Sequence, residues 1–90
     1  MRKKEMFSIY DAVAMVFSQF PFPAANQADA TRAFAQAINS PDSDFGKNPL
    51  DYVLYSIGEY DMIDGKVTGW ETGPKKVCSG VDVFRKEESE

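Results

Sequence analysis

At 90 residues and a net charge of −4, the chain has room for one small core and not two, because each core must offset the entropy of ordering its own backbone. An apolar fraction of 43% with 13% aromatics excludes a disordered chain. The absence of histidine removes the commonest general base and the commonest metal ligand, and most catalytic designs with them.

In chain order, Arg2, Lys3 and Lys4 make residues 1–5 a flexible basic arm. Residues 6–10 alternate, with Phe7 and Ile9 on one face and Ser8 and Tyr10 on the other, which predicts a strand. Asp11-Ala12 predicts a turn. The aromatic stretch over 15–22 ends in Phe20-Pro21-Phe22-Pro23 and predicts a second strand at a sheet edge, since proline cannot donate into a central ladder. A helix over residues 9–19 is the competing reading.

A helix is predicted over 27–39, where Ala30, Ala33, Phe34, Ala37 and Ile38 follow one helical face and should be buried. Asn26 is its N-cap, Asp29 complements its positive end, and Asn39-Ser40-Pro41 stops it. Residues 41–49 read as a polar loop containing Gly46. The next strand covers 52–60, with Val53, Tyr55 and Ile57 facing one way and Tyr52, Leu54 and Tyr60 the other, the pattern of a central strand or of one face reserved for a partner. Asp64-Gly65 predicts a hairpin turn and 66–70 the returning strand. The apolar piece over 81–84 predicts a short extra strand, and 85–90 a flexible charged tail. The expected fold is α+β: one domain over 1–90, a small antiparallel sheet in the order β-β-α-β-β plus that C-terminal strand, and one helix packed on one face.

Charge is informative by position. Asp11, Asp29, Asp42, Asp44, Asp51, Glu59, Asp61 and Asp64 make the middle acidic against only Arg32 and Lys47. Lysines gather at Lys3 and Lys4 and at Lys75 and Lys76, so an anion-binding surface has to be assembled from the ends of the chain.

No apolar run approaches the ~20 residues of a membrane-spanning helix, and the basic start lacks a signal-peptide core, so neither secretion nor a membrane is expected. A single cysteine, Cys78, fits a reducing compartment, and without a histidine partner it is an ordinary thiol. No Gly-rich phosphate loop is present, and Asp42 with Asp44, or Asp61 with Asp64, fits turn chemistry better than a cation loop. The expectation is a protein that is not an enzyme, with no catalytic, cofactor-binding or metal-binding residues. Its aromatics Tyr10, Phe17, Tyr52, Tyr55, Tyr60 and Trp70 could stack on unpaired bases, although strand aromatics are more often core or dimer interface. The candidate nucleic-acid-binding set is Lys3, Lys4, Lys75, Lys76, Tyr55 and Trp70. Small size also favours a homodimer.

Several segments carry a resemblance. They are Ser8-Ile9-Tyr10-Asp11, Pro21-Phe22, Ala30-Thr31-Arg32-Ala33-Phe34, the run Asp44-Phe45-Gly46-Lys47-Asn48-Pro49-Leu50-Asp51-Tyr52, then Leu54-Tyr55 and Ile57-Gly58-Glu59-Tyr60-Asp61. In this order and spacing, over somewhat more than half the chain, they resemble the small nonstructural protein of the gokushovirus branch of the microviruses, phages with single-stranded DNA genomes. The resemblance implies a product of the infected host cytoplasm that is absent from the virion and is described as acting in viral DNA synthesis or as binding DNA. It carries no catalytic or binding residues over. Two readings follow: an accessory factor binding single-stranded DNA as a dimer, or an acidic module docking on a basic partner such as the phage replication initiator, a packaging protein or a host protein.

Overall fold

The computed structural model describes residues 2–85. In chain order its elements are β1 (Lys3–Asp11), β2 (Val16–Phe17), β3 (Phe22–Ala24), α1 (Gln27–Ile38), α2 (Asp44–Lys47), a 3-10 turn (Pro49–Asp51), β4 (Tyr52–Asp61), β5 (Val67–Gly69), β6 (Lys75–Ser79) and α3 (Gly80–Val83). β1 and β4 pair antiparallel along their full lengths, from Lys3 opposite Asp61 to Asp11 opposite Tyr52. Each is flanked by an interrupted column, β2 and β3 along β1 and β5 and β6 along β4, all antiparallel. This is the expected α+β architecture, with more strands than the sequence suggested.

α1 crosses one face of this sheet. Its Ala30, Phe34 and Ile38 are buried against Phe7 and Ile9 of β1 and Leu54 of β4, and these six form the core. Asn26 Oδ1 accepts the Asp29 N–H at 2.8 Å, the expected N-cap. At the other end Asn39 ties the helix to the C-terminal segment: its Nδ2 donates to the carbonyls of Ala35 and Val83 at 2.8 and 3.0 Å, and its Oδ1 accepts from the Arg85 N–H at 2.7 Å.

Residues 12–20 take the hairpin route. Asp11 Oδ1 accepts from the backbone N–H of Val13 and Ala14 at 3.0 Å, and Met15, at φ 62°, turns the chain into β2. Pro23 sits in the outer column, where its missing N–H costs no ladder bond.

Five expectations are corrected. Lys3, Lys4 and Glu5 are not a free arm but the start of β1, because β4 is long enough to pair with them through Glu59, Tyr60 and Asp61. Ala33 is exposed and Ala37 only half-buried, because α1 packs along the narrower line of Ala30, Phe34 and Ile38. Tyr60 faces with Tyr55, since a bulge at Ile57 shifts the register between Met6 opposite Gly58 and Phe7 opposite Ser56. The loop over 41–49 contains a helical turn, α2, whose Gly46 is required: a Cβ there would lie 1.7 Å from the Ser40 carbonyl oxygen. Finally, the last strand is Lys75–Ser79, while residues 81–83 belong to α3, held by a capping box between Ser79 and Asp82. Of the charged tail, residues 86–90 lie outside the described residues.

Candidate nucleic-acid interface

Residues directly opposed in a ladder point to the same side of the sheet, so register sorts the strand side chains. Phe7 opposite Ser56 and Ile9 opposite Leu54 mark the side covered by α1. The same side receives Lys3 opposite Asp61, Glu5 opposite Glu59 and Asp11 opposite Tyr52. The other side receives Lys4 opposite Tyr60, Met6 opposite Gly58, Ser8 opposite Tyr55 and Tyr10 opposite Val53. β2 adds Phe17 there, opposite Tyr10, and β6 adds Lys76, opposite Tyr55.

Two consequences follow for that open side. First, every carboxylate on a described strand, Glu5, Asp11, Glu59 and Asp61, goes to the helix side, so the open side has lysines and no strand carboxylate among the described residues. Second, its rings cluster: Tyr10 lies 4.8 Å from Phe17 and 5.9 Å from Tyr55, and Phe17 lies 5.4 Å from Tyr55, centroid to centroid, all in tilted or edge-on contact. Beneath them Ser8 is 2% exposed, and its Oγ has no hydrogen-bond partner among the described residues. The three helices contact the covered side and its ends.

The six residues singled out from sequence therefore divide. Lys4, Tyr55 and Lys76 belong to the open side. Lys3, Lys75 and Trp70 belong to the helix side, at the end remote from α3. There Trp70 Nε1 donates to Ser56 Oγ at 2.8 Å and Ser56 Oγ donates to Glu5 Oε2 at 2.5 Å. Lys75 Nζ stands 5.3 Å from the Trp70 ring centroid, and Lys3 Nζ is 3.9 Å from Glu59. Arg2, Lys3, Lys4, Glu5, Glu59 and Trp70 line a groove of about 650 Å³ at this end of the sheet, in which Arg2 and Lys3 already face Asp61 and Glu59. Tyr10, Phe17 and Tyr60 were not in the candidate set. The alternation that buries Phe7 and Ile9 marks Tyr10 as facing the other way, which was a usable signal; Phe17 joins it only through a two-residue strand.

The helix side is electrostatically different. Burial, then Asp11, Asp44 and Asp51, push the Tyr52 hydroxyl above its ordinary value. Burial also raises the Cys78 thiol, partly offset by a hydrogen bond with Thr31, which suits a packing residue and not a nucleophile. Hydrogen bonds from the Ser79 N–H and hydroxyl hold Asp82 below the usual carboxylate range. Among the described residues, no cluster of three or more His, Cys, Asp or Glu side chains could hold a metal ion, and no helix is long and apolar enough to cross a membrane.

A family model described as "Phage ORF5 protein" matches residues 4–83. Comparison with curated proteins and with solved structures gives no match.

Proposed function

The chain belongs to the Phage ORF5 protein family, and from that premise we propose that it is a nonenzymatic accessory protein that binds single-stranded DNA on its open sheet face during viral DNA synthesis. In keeping with the gokushovirus resemblance, it acts in the host cytoplasm and outside the virion. The observation that carries this reading is the sorting of charge by register. A protein of net charge −4 would be a poor DNA ligand if its acids were evenly spread. Here the open face has Lys4, Lys76 and the Tyr10, Phe17 and Tyr55 rings, while the strand carboxylates lie behind the sheet. Lysines bind phosphates and exposed rings stack on unpaired bases, a combination tolerant of sequence.

The test is fluorescence anisotropy of a labelled single-stranded oligonucleotide titrated with the protein. Tyr55→Ala should weaken binding by about 1–3 kcal/mol, the usual worth of one stacked base. Lys4→Glu with Lys76→Glu should weaken it strongly, whereas Lys3→Glu with Lys75→Glu, on the other side, should have little effect. Equal losses in the two pairs would argue against the open face as the binding surface. No binding at low salt would favour the second reading, docking on a basic phage or host protein, for which Asp11, Asp44 and Asp51 around Tyr52 are the matching acidic surface.

A further inference from the structure

A sheet with free edges invites pairing, and folded proteins usually guard such edges with proline or charge. The column outside β1 is guarded at β3, where Pro23 removes a donor. On the far side β6 carries Lys75 and Lys76, and β5 is bracketed by Asp64, Lys66 and Glu71. β2 has no guard: residues 12–20 hold neither a charge nor a proline. In a chain of net charge −4, this is a stretch at which two copies can meet without opposing like charges.

The backbone there is oriented for pairing. Ser18 N–H donates to the Ile9 carbonyl at 2.7 Å, so the Tyr10–Phe17 pair lies between ladder bonds, and the N–H and C=O of Phe17 point away from β1. The side chains around them are apolar and exposed, Val13 at 72%, Met15 at 74%, Val16 at 57% and Phe20 at 75%.

We propose that β2 is the interface with a second copy of this chain, paired antiparallel about a two-fold axis at Phe17. Phe17 N–H of each copy donates to the Phe17 carbonyl of the other. Parity requires such a register: Phe17 and Val16 face opposite sides of the sheet, so a one-residue slip would set Phe17 beside the wrong face. Two strand bonds alone do not hold a dimer, whose stable interfaces bury ~1,200–2,000 Å²; Val13, Met15, Val16 and Phe20 of both copies supply the apolar contact. A two-fold axis normal to the sheet keeps both open faces on one side. The two Tyr10 positions are then three strand spacings apart, about 14 Å at the usual ~4.8 Å spacing. This consequence for DNA rests on the nucleic-acid reading above, but the interface does not.

The experiment is sedimentation velocity of the full chain without DNA from micromolar to several hundred micromolar, with amide exchange followed at Phe17. The expected result is a dimer in which the Phe17 amide exchanges slowly, and faster on dilution. Val13→Ser with Phe20→Ser should give a folded monomer by circular dichroism that binds half the oligonucleotide length per particle. A protein that stays monomeric across the range, or a dimer whose Phe17 amide exchanges freely, overturns the proposal; the exchange measurement decides even where the double variant does not fold. Loss of oligonucleotide binding with the dimer intact would instead overturn the nucleic-acid reading alone.

Discussion

Ser56 illustrates how one small polar side chain can join distant parts of the chain. It is buried in β4 on the helix side, accepts from Trp70 Nε1 and donates to Glu5, so it joins β1 to the loop between β5 and β6. Replacing it by alanine strands the indole N–H and removes one bond from a carboxylate. Ser56→Ala should therefore cost about 1–3 kcal/mol in urea unfolding, the penalty of leaving a buried donor unmet. Trp70 fluorescence should change in the folded state as well, because its hydrogen bond is lost. The same contact explains why Trp70 and Lys75 are poor candidates for stacking on a base: the indole edge is already engaged by Ser56 and its face by Lys75.

At the scale of elements, α1 is the part whose burial the sheet cannot replace. Phe34 is fully buried at its centre, and Phe34→Ala should cost about 3–5 kcal/mol in the same unfolding experiment. Much of this element was legible in the sequence, because Asn26, the apolar line and Asn39 are local signals that need no partner. The Asp64-Gly65 turn was legible for the same reason, with Gly65 taking the positive φ of 77° that such a turn uses. Features set by a partner strand were not. The bulge at Ile57 depends on where β1 lies, and it reverses the facing of Tyr60. β6 begins with two lysines and has its own register shift opposite Leu54 and Tyr55, so no alternation announced it. Once this unannounced segment is a strand, Lys75 and Lys76, as neighbours in sequence, necessarily fall on opposite sides of the sheet, and the candidate site divides there.

For the whole molecule, total charge is a poor guide to what one face can bind. The acids dominate the count, but their strand members lie on the helix side, and Lys4 and Lys76, from the two ends of the chain, both lie on the other, opposite Tyr60 and Tyr55 of β4. Single-strand affinity falls with salt by about 0.7 log units per phosphate contact and log unit of salt. Removing both lysines should therefore flatten the salt dependence by about 1.4, read from anisotropy titrations at several salt concentrations. The spine of the sheet has a further consequence. β1 and β4 come from opposite halves of the chain, with both outer columns resting on them. During synthesis Phe7 and Ile9 leave the ribosome long before Leu54, so the first half can pair β1 only with the short β2 and β3 and lacks its long partner β4. The spine closes a long loop, from Asp11 opposite Tyr52 at its shortest, so refolding followed by stopped-flow fluorescence should be slow for so small a protein.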